Sequence, residues 1–549
     1  LSVAEDVSTR TLGVCFVDAA TGQLQLGQCV DDEHCNSLRT LLAQLRPDEV
    51  LVDEATVSRQ VYTLLRRSVA EPLFNTLPDE CWFADKADAA ARLAKARYFA
   101  TDGEDGWPAP LRAAASSEQP VALRAFGGCA TYLKRLMLDE QLLSMEHFAQ
   151  WLPTDAPPSS SASSSASSSG SSSGATDAAA APSKKAKAAT SMDVSPPSLS
   201  NVVLDAKALE NLEIFENSSD KSSKGTLFGI LDKCHSPFGK RQLRKWLCSP
   251  PKLVEDITAR QDMVGALMGR PELKSSLAKT LRKLPDLERL LARVHGFSKA
   301  HGSAQATHYA DVGKARLHEL IKTLEGLESL DGCVRTQCSR ELAAGLKEQA
   351  PSLAESLTVG DGFPDLAAAL SHFRTAFDWA QAKADGRVIP SRGVDDAYDA
   401  ASDAVDAARA TIDEICDEWR RTLHDKTIEL WSAAGSPTEP FQLAVSEATL
   451  AKRGTPSGFT QMSSKKGVKR FYTDELKQAV DAYLKGKEQL DHALSASARK
   501  LYASFSQRFA LWHRAVRTAA DLDCLLAFAT VSSGVGFCKP TFVADPGCK

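Results

Sequence analysis

The sequence predicts a multidomain protein, with an α/β unit first, mainly helix after it, and a small β-rich unit carried between two long helices. At 549 residues the chain exceeds one hydrophobic core, because cores stop growing near ~250–300 residues. Residues 12–54 alternate short apolar runs with turns, whereas a helical period prevails from about Leu199 onward. Two apolar seams of heptad spacing bracket a segment rich in Gly, Pro and β-formers.

In the first unit, LGVCFVD and LQLGQCV flank a Thr21-Gly22 turn and read as a hairpin. A helical stretch around Leu38–Leu42 and the apolar run VLVDE add a helix and a strand. Helical pattern continues through AFGGCATYLKRLMLDEQLLSMEHF, where Leu133, Leu136, Met137 and Leu143 share a face, so this unit is assigned to 1–152. Residues 153–198 hold a Ser/Ala-rich tract with too little apolar content to offset chain entropy, and read as a disordered linker. Within it, Lys184, Lys185 and Lys187 fit a nuclear-import patch. Gly170-Ser171-Ser172-Ser173-Gly174 matches a hydrolase nucleophile elbow only as any Ser/Gly repeat would, with no strand ahead of it.

A helical core is assigned to 199–393. Tyr398, Ala401, Val405, Ala408, Ile412, Ile415 and Trp419 then step by three and four, which assigns 394–425 to an ascending helix. A second seam, Leu476, Val480, Tyr483, Leu490, Leu494, Leu501, Phe505 and Trp512, assigns 474–530 to descending helices. At ~1.5 Å per residue the two rods would be roughly 40 and 60 Å long. Between them, residues 426–473 carry the aromatics, glycines and β-formers of a few antiparallel strands. A helix leaving the core, a small β unit and a helix returning make a clamp on a lever.

Charge gives this clamp a ligand. The chain has a net charge of −5, yet Ala451–Lys477 holds seven basic residues against two acids. In SSKKGVKRFYT, Gly467 separates Lys465 and Lys466 from Lys469 and Arg470, permitting a tight turn with cationic side chains on both arms. Lys offers a point charge, Arg a fork, Ser463 and Ser464 hydroxyls, and Gly467 close backbone approach. With Lys452 and Arg453 nearby, this set suits the phosphate backbone of double-stranded DNA. Nothing in it promises base readout, so binding is expected to ignore sequence and to weaken with salt. The alternative is a structural coiled-coil scaffold whose basic hairpin docks a protein.

Other classes find less support. No run of ~18 or more uncharged apolar residues and no charged-then-apolar leader is present, so neither a membrane partner nor secretion is expected. The 13 cysteines are scattered, without a Cys-x-x-Cys, and even Cys333 and Cys338 lack neighbours with ligand spacing; reduced thiols and no metal are expected. Asp18, Asp53 and Glu54 fall near strand ends, where the carboxylates of a two-metal nuclease would sit, which is an alternative enzymatic reading. In GTLFGILDKCHSPFGKRQLRKWLCSPP, Leu227, Ile230, Leu231, Leu243, Trp246 and Leu247 are helix-spaced anchors around a Pro237-Phe238-Gly239 break. Lys240, Arg241, Arg244 and Lys245 read there as structural rather than as a nucleic-acid contact.

The stretch LEIFENSSDKSSKGTLFGILDKCHSPFGKRQLRKWLCSPP, followed by ARQDMVGALMG and LPDLERLLARVH, resembles the core domain of the MutS family of DNA mismatch-repair proteins, in that order and at similar separations. GVCFVDAATGQLQLGQCVDD with LRTLLAQLRPDEVLVDE resembles that family's RNase H-like connector domain. FPDLAAALSHFRTAFDWAQA, GVDDAYDAASDAV and SSKKGVKRFYT are similar to its lever and clamp, and the resemblance covers nearly the whole chain outside 153–198. It implies a nuclear subunit that closes around mismatched double-stranded DNA together with a second MutS homologue. Lys465, Lys466, Lys469 and Arg470 match the clamp motif that would grip the backbone, while ATP and Mg²⁺ would act in an ATPase domain. Neither a Phe-x-Glu mismatch wedge nor a Gly-x-x-x-x-Gly-Lys-[Ser/Thr] phosphate loop occurs, so this chain by itself is expected to bind no cofactor and to have no catalytic residue. With Leu1 where an initiator Met would stand, a fragment is expected, and 531–549 would begin the ATPase domain.

Overall fold

A computed structural model describes residues 1–152 and 201–542, apart from 20, 54–55, 69–72, 100–102, 116–118, 203, 300–309 and 433–439. Glu54, the Ser/Ala tract 153–198 with Lys184, Lys185 and Lys187, and the Gly170–Gly174 repeat lie outside the described residues. The chain divides into two compact units: Leu1–Ala306 with Lys322–Ala367 and Ser506–Lys549, and Thr307–Ile321 with Ala368–Phe505. Among the described residues no helix is long and apolar enough to cross a membrane.

The first unit opens on a six-stranded mixed sheet of β1 (Ser2–Asp6), β2 (Thr11–Asp18), β3 (Gln23–Val30), β4 (Glu49–Asp53), β5 (Leu73–Leu77) and β6 (Phe148–Gln150), in the order β5-β4-β1-β2-β3-β6. The β2–β3 hairpin pairs Asp18 with Gln23 and turns through Gly22 at φ +71°. Strand β1, which lies ahead of the residues whose alternation was read, sits between β2 and β4. Both faces are covered, which is why these strands read as apolar runs. Val3, Leu12, Val14, Val50 and Val52 pack against α1 (Asn36–Leu45) and α2 (Arg59–Ser68). Ala4, Cys15, Leu24, Leu26 and Leu51 pack against α3 (Pro120–Arg135), through Ala122, Phe126 and Cys129. Helix α3 stops at Arg135 because Met137 turns to φ +56°. Leu136 and Met137 are therefore 45% and 87% exposed, while Leu133 and Leu143 are buried, so the helix end splits a face expected to carry all four.

The rest is mainly helical, with α4 (Pro237–Cys248), α5 (Leu287–Lys299), α6 (Asp396–Thr422), α7 (Glu447–Arg453), α8 (Asp474–Gln507) and α9 (Phe509–Ser532). Pro237 opens α4 rather than breaking a helix, because its missing N–H is an orphan in the first turn anyway. Ser236 caps this helix, accepting from the Gly239 N–H at 3.0 Å. Phe238 and Leu243 are buried, but Leu227 and Ile230 sit on a separate short helix, 40% and 49% exposed, and are not the anchors that their spacing suggested. Three of the four basic residues of α4 serve architecture, while Lys245 is exposed. Arg241 forks onto Asp286 at 2.6 Å and Glu288 at 2.7 Å, Lys240 pairs with Asp232 at 3.1 Å, and the Arg244 guanidinium lies 4.5 Å from the Phe215 ring centre.

His147, just ahead of β6, and His513 on α9 have ring centres 5.5 Å apart, with Phe509 stacked on His513. Burial pushes both down to about 4, and nearby positive charge adds to it, from His513 and Lys245 at His147 and from Arg517 and Lys245 at His513. An unfolded histidine takes its proton near pH ~6.5. The folded state refuses that proton down to about 4, so stability is complete above pH ~6.5 and should fall between ~6.5 and about 4, by a few kcal/mol for the pair. Urea unfolding across that range checks this, and His147→Phe with His513→Phe should flatten the slope.

In the second unit α6 and α8 run antiparallel. Asp395, the N-cap of α6, accepts from Ser497 and, at 3.0 Å, from Lys500; a Cβ on Gly486 would lie 3.2 Å from Val405; and Ile412 and Cys416 share a cluster with Leu476 and Val480. Every residue of the first seam is buried or half-buried along the 27 residues of α6, ~40 Å at ~1.5 Å per residue. The second seam departs from expectation: Arg508 (φ −101°, ψ 15°) ends α8, so this rod has 34 residues, ~51 Å, and Trp512 belongs to α9.

Candidate nucleic-acid interface

At one end of the α6–α8 pair, β7 (Glu429–Trp431), β8 (Gln442–Ser446), β9 (Thr460–Lys465) and β10 (Val468–Tyr472) form an antiparallel sheet in the order β7-β8-β10-β9. Its inner face buries Leu443, Val445 and Phe471 together with Ile428 and Leu450 against Ile412, Cys416 and Leu423 and against Leu476 and Val480. Edge-on contacts of Phe459 with Trp419 at 4.7 Å and with Phe471 at 5.1 Å join sheet to helix. Ser446 caps α7, and the Glu447 N–H at the start of that helix donates to the Gly467 carbonyl at 3.0 Å, bracing the distal hairpin.

That hairpin joins β9 to β10 through Lys466-Gly467, with Lys465 opposite Val468. Gly467 has φ +85°, where a Cβ is disfavoured, and nothing lies within 4 Å of the place a Cβ would take. Gly467→Ala should therefore add backbone strain alone, ~1–2 kcal/mol. Hydrogen exchange should show it as faster exchange confined to β9 and β10.

The cations do not form one cluster. Ser464, Lys465 and Lys466 are exposed at the hairpin, and Lys452 and Arg453 are exposed in the last turn of α7. Lys469 and Arg470 are half-buried and, as neighbours on a strand, point to opposite faces. Lys469 stands opposite Ser464 and Val445, on the face that packs against the helices. Arg470 stands opposite Ser463 and Ala444, its guanidinium 3.5 Å from the Trp431 ring centre and its Nη1 donating to Ser463 Oγ at 3.3 Å. Trp431 escaped the sequence reading because only strand register brings it to Arg470. Among the described residues, none of Lys452, Arg453, Lys465, Lys466, Lys469 and Arg470 forms an ion pair, so their charge is uncompensated from within. Such a surface suits an external polyanion.

The nuclease reading does not survive the geometry. Asp53 is fully buried and receives Arg124 Nε at 2.7 Å, and the same guanidinium also binds Asp79. Register puts Val52 level with Val3 and Ala4 level with Gly13, so Asp53 lies about five residues from Asp18 along β2, ~17 Å at ~3.4 Å per residue. Carboxylates that far apart cannot share ions ~3.5–4 Å apart. Cys333 and Cys338 are both buried in helix, and no three metal-ligating side chains come together among the described residues.

Comparison with known proteins bears on the whole chain. Residues 207–529 match MutS domain III, and residues 1–148 match MutS domain II. The chain is 31% identical to the DNA mismatch repair protein Msh6 of Homo sapiens, over 97% of this chain and 39% of that protein. It is 30% identical to DNA mismatch repair protein MSH6 of Arabidopsis thaliana, over 98% and 39%, and 27% identical to that of Saccharomyces cerevisiae, over 100% and 38%. It thus spans about two-fifths of the length of these relatives. With domain III matched over more than half of the residues and domain II directly ahead of it, the chain belongs to the MutS family.

Proposed function

We propose that this chain is the DNA-gripping and relay portion of a mismatched-DNA-binding subunit in DNA mismatch repair. In this reading 1–152 is an RNase H-like connector, 153–198 a linker and 199–393 the core; 394–425 and 474–530 are the two sides of a lever, 426–473 is its clamp, and 531–549 starts an ATPase domain. The whole protein would act in the nucleus, pair with a second MutS homologue, close around mismatched duplex DNA and use ATP with Mg²⁺ outside this chain. The observation that carries this reading is the set of uncompensated cations around the Gly467 turn, at the end of two long helices packed along apolar seams.

Lys465, Lys466, Lys469 and Arg470, with Lys452 and Arg453, would displace condensed counterions from the phosphates, while Ser463 and Ser464 add hydroxyls. Each phosphate neutralised contributes a salt slope of roughly −0.9 without reading sequence. The helix pair would turn this grip into a displacement at its other end, since close-packed rods transmit strain. Lysine acetylation mapped with and without a long duplex tests the reading. Protection is expected at Lys452, Lys465 and Lys466; unchanged reactivity there, with protection appearing on other lysines, would refute it.

A further inference from the structure

The outer face of the tip sheet holds an arrangement that a count of cations does not explain. Register sets Arg470 beside Ser463 and Ala444, and Trp431 beside Gln442. Side chains alternate across the pleat, so Arg470, Ser463, Gln442, Trp431 and Lys465 share this face, and Lys469 lies on the other. The guanidinium is held on two sides, stacked 3.5 Å from the Trp431 ring centre and donating through Nη1 to Ser463 Oγ at 3.3 Å. Ser463 Oγ is fixed in turn by Gln442 Oε1 at 3.4 Å. Nε is buried without a partner, and among the described residues no carboxylate reaches the guanidinium. Nη2 has no partner among the described residues and is left as the available donor.

A stacked guanidinium keeps its charge and its in-plane N–H groups, and has already given up the rotamer freedom that a loose arginine loses on binding. We propose that the outer face is the one that meets the DNA backbone, and that Trp431 is its positioning residue, holding Arg470 flat so that the free edge of the fork takes a phosphate beside Lys465. This rests on the clamp reading above and adds to it which face is used and which uncharged side chain the grip needs.

The test measures affinity of the whole chain for labelled duplex DNA across salt concentrations, with thermal melting of each variant alongside. Arg470→Ala should weaken binding about 10-fold and reduce the salt slope by roughly 0.9. Trp431→Leu should weaken it about 3–10-fold with little change in slope or melting, and Trp431→Phe, which still stacks, should recover most of the loss. Lys465→Ala should cost more affinity than Lys469→Ala. Wild-type binding by Trp431→Leu alongside weakened binding by Arg470→Ala would overturn the role of Trp431 and leave the clamp reading standing. A larger loss for Lys469→Ala than for Lys465→Ala would overturn the choice of face. Wild-type affinity in Arg470→Ala, Lys465→Ala and Lys469→Ala alike would remove the clamp reading and this proposal with it. Should Trp431→Leu fail to fold, Arg470→Lys decides: it keeps the charge but loses the planar fork, so weakened binding is expected and wild-type affinity would overturn the proposal.

Discussion

Asp523→Ala is expected to destabilise the first unit by ~3–5 kcal/mol, as removal of one partner from a buried charged network does. Asp523 lies on α9 and is fully buried. Its carboxylate accepts from the His235 N–H at 2.9 and 3.0 Å, from the Ser236 N–H at 2.7 Å and from Ser236 Oγ at 2.6 Å, and lies 3.2 Å from His235 Nδ1. These donors lead into the N-terminus of α4, where the helix dipole favours negative charge. Alanine would strand the buried N–H and hydroxyl of Ser236, each costing ~1–3 kcal/mol, together with the half-buried His235 N–H, and would leave a cavity where α4 meets α9. Asn keeps one acceptor oxygen and should cost less. Urea unfolding of Asp523→Ala and Asp523→Asn measures both; a loss below ~1 kcal/mol for Ala would contradict the role given to this carboxylate.

Gly13→Val should be the most damaging single change in the N-terminal sheet. An ideal Cβ at Gly13 would lie 2.1 Å from the Val121 carbonyl oxygen and 2.7 Å from the Ala122 nitrogen. Ordinary overpacking costs ~1–3 kcal/mol because side chains yield, but here the obstacle is backbone. Nor can α3 withdraw cheaply, because Gln28 Oε1 accepts from the Val121 and Ala122 N–H groups at 3.0 and 3.3 Å and pins the helix start to β3. The expected result is a sheet that no longer closes on α3, seen as proteolytic sensitivity within 1–152 and a red-shifted Trp82 emission. Gly265→Ala is the control: nothing lies within 4 Å of its Cβ position, and alanine in the last turn of the helix Val254–Met268 should be neutral or stabilise by up to ~1 kcal/mol. Equal behaviour of the two variants would refute the close approach.

These two positions mark where local pattern stops being informative. The β2–β3 hairpin, the α6 seam and the Lys466-Gly467 turn follow from alternation, heptad spacing and one glycine, all within a few residues of chain. Asp523 and Ser236 are 287 residues apart, and no periodicity announces their pairing. The break at Arg508 stayed hidden because apolar spacing runs on through Trp512 although the backbone does not. The exposure of Leu227 and Ile230 was missed because hydrophobic spacing shows which residues could share a face, not whether another element covers it. In the tip, the cations were legible as residue types, but their division between two faces depended on register.

The grip itself is tested most directly by the salt dependence of duplex binding in a variant carrying Lys465→Ala, Lys466→Ala, Lys469→Ala and Arg470→Ala together. If these side chains neutralise phosphates, the variant should bind more than ~10²-fold more weakly at low salt, with a slope shallower by roughly 3, because Lys469 lies on the inner face, and with unchanged melting. Wild-type affinity and wild-type slope would mean that the basic hairpin contacts no DNA, leaving the helix pair as a scaffold that presents it to a protein.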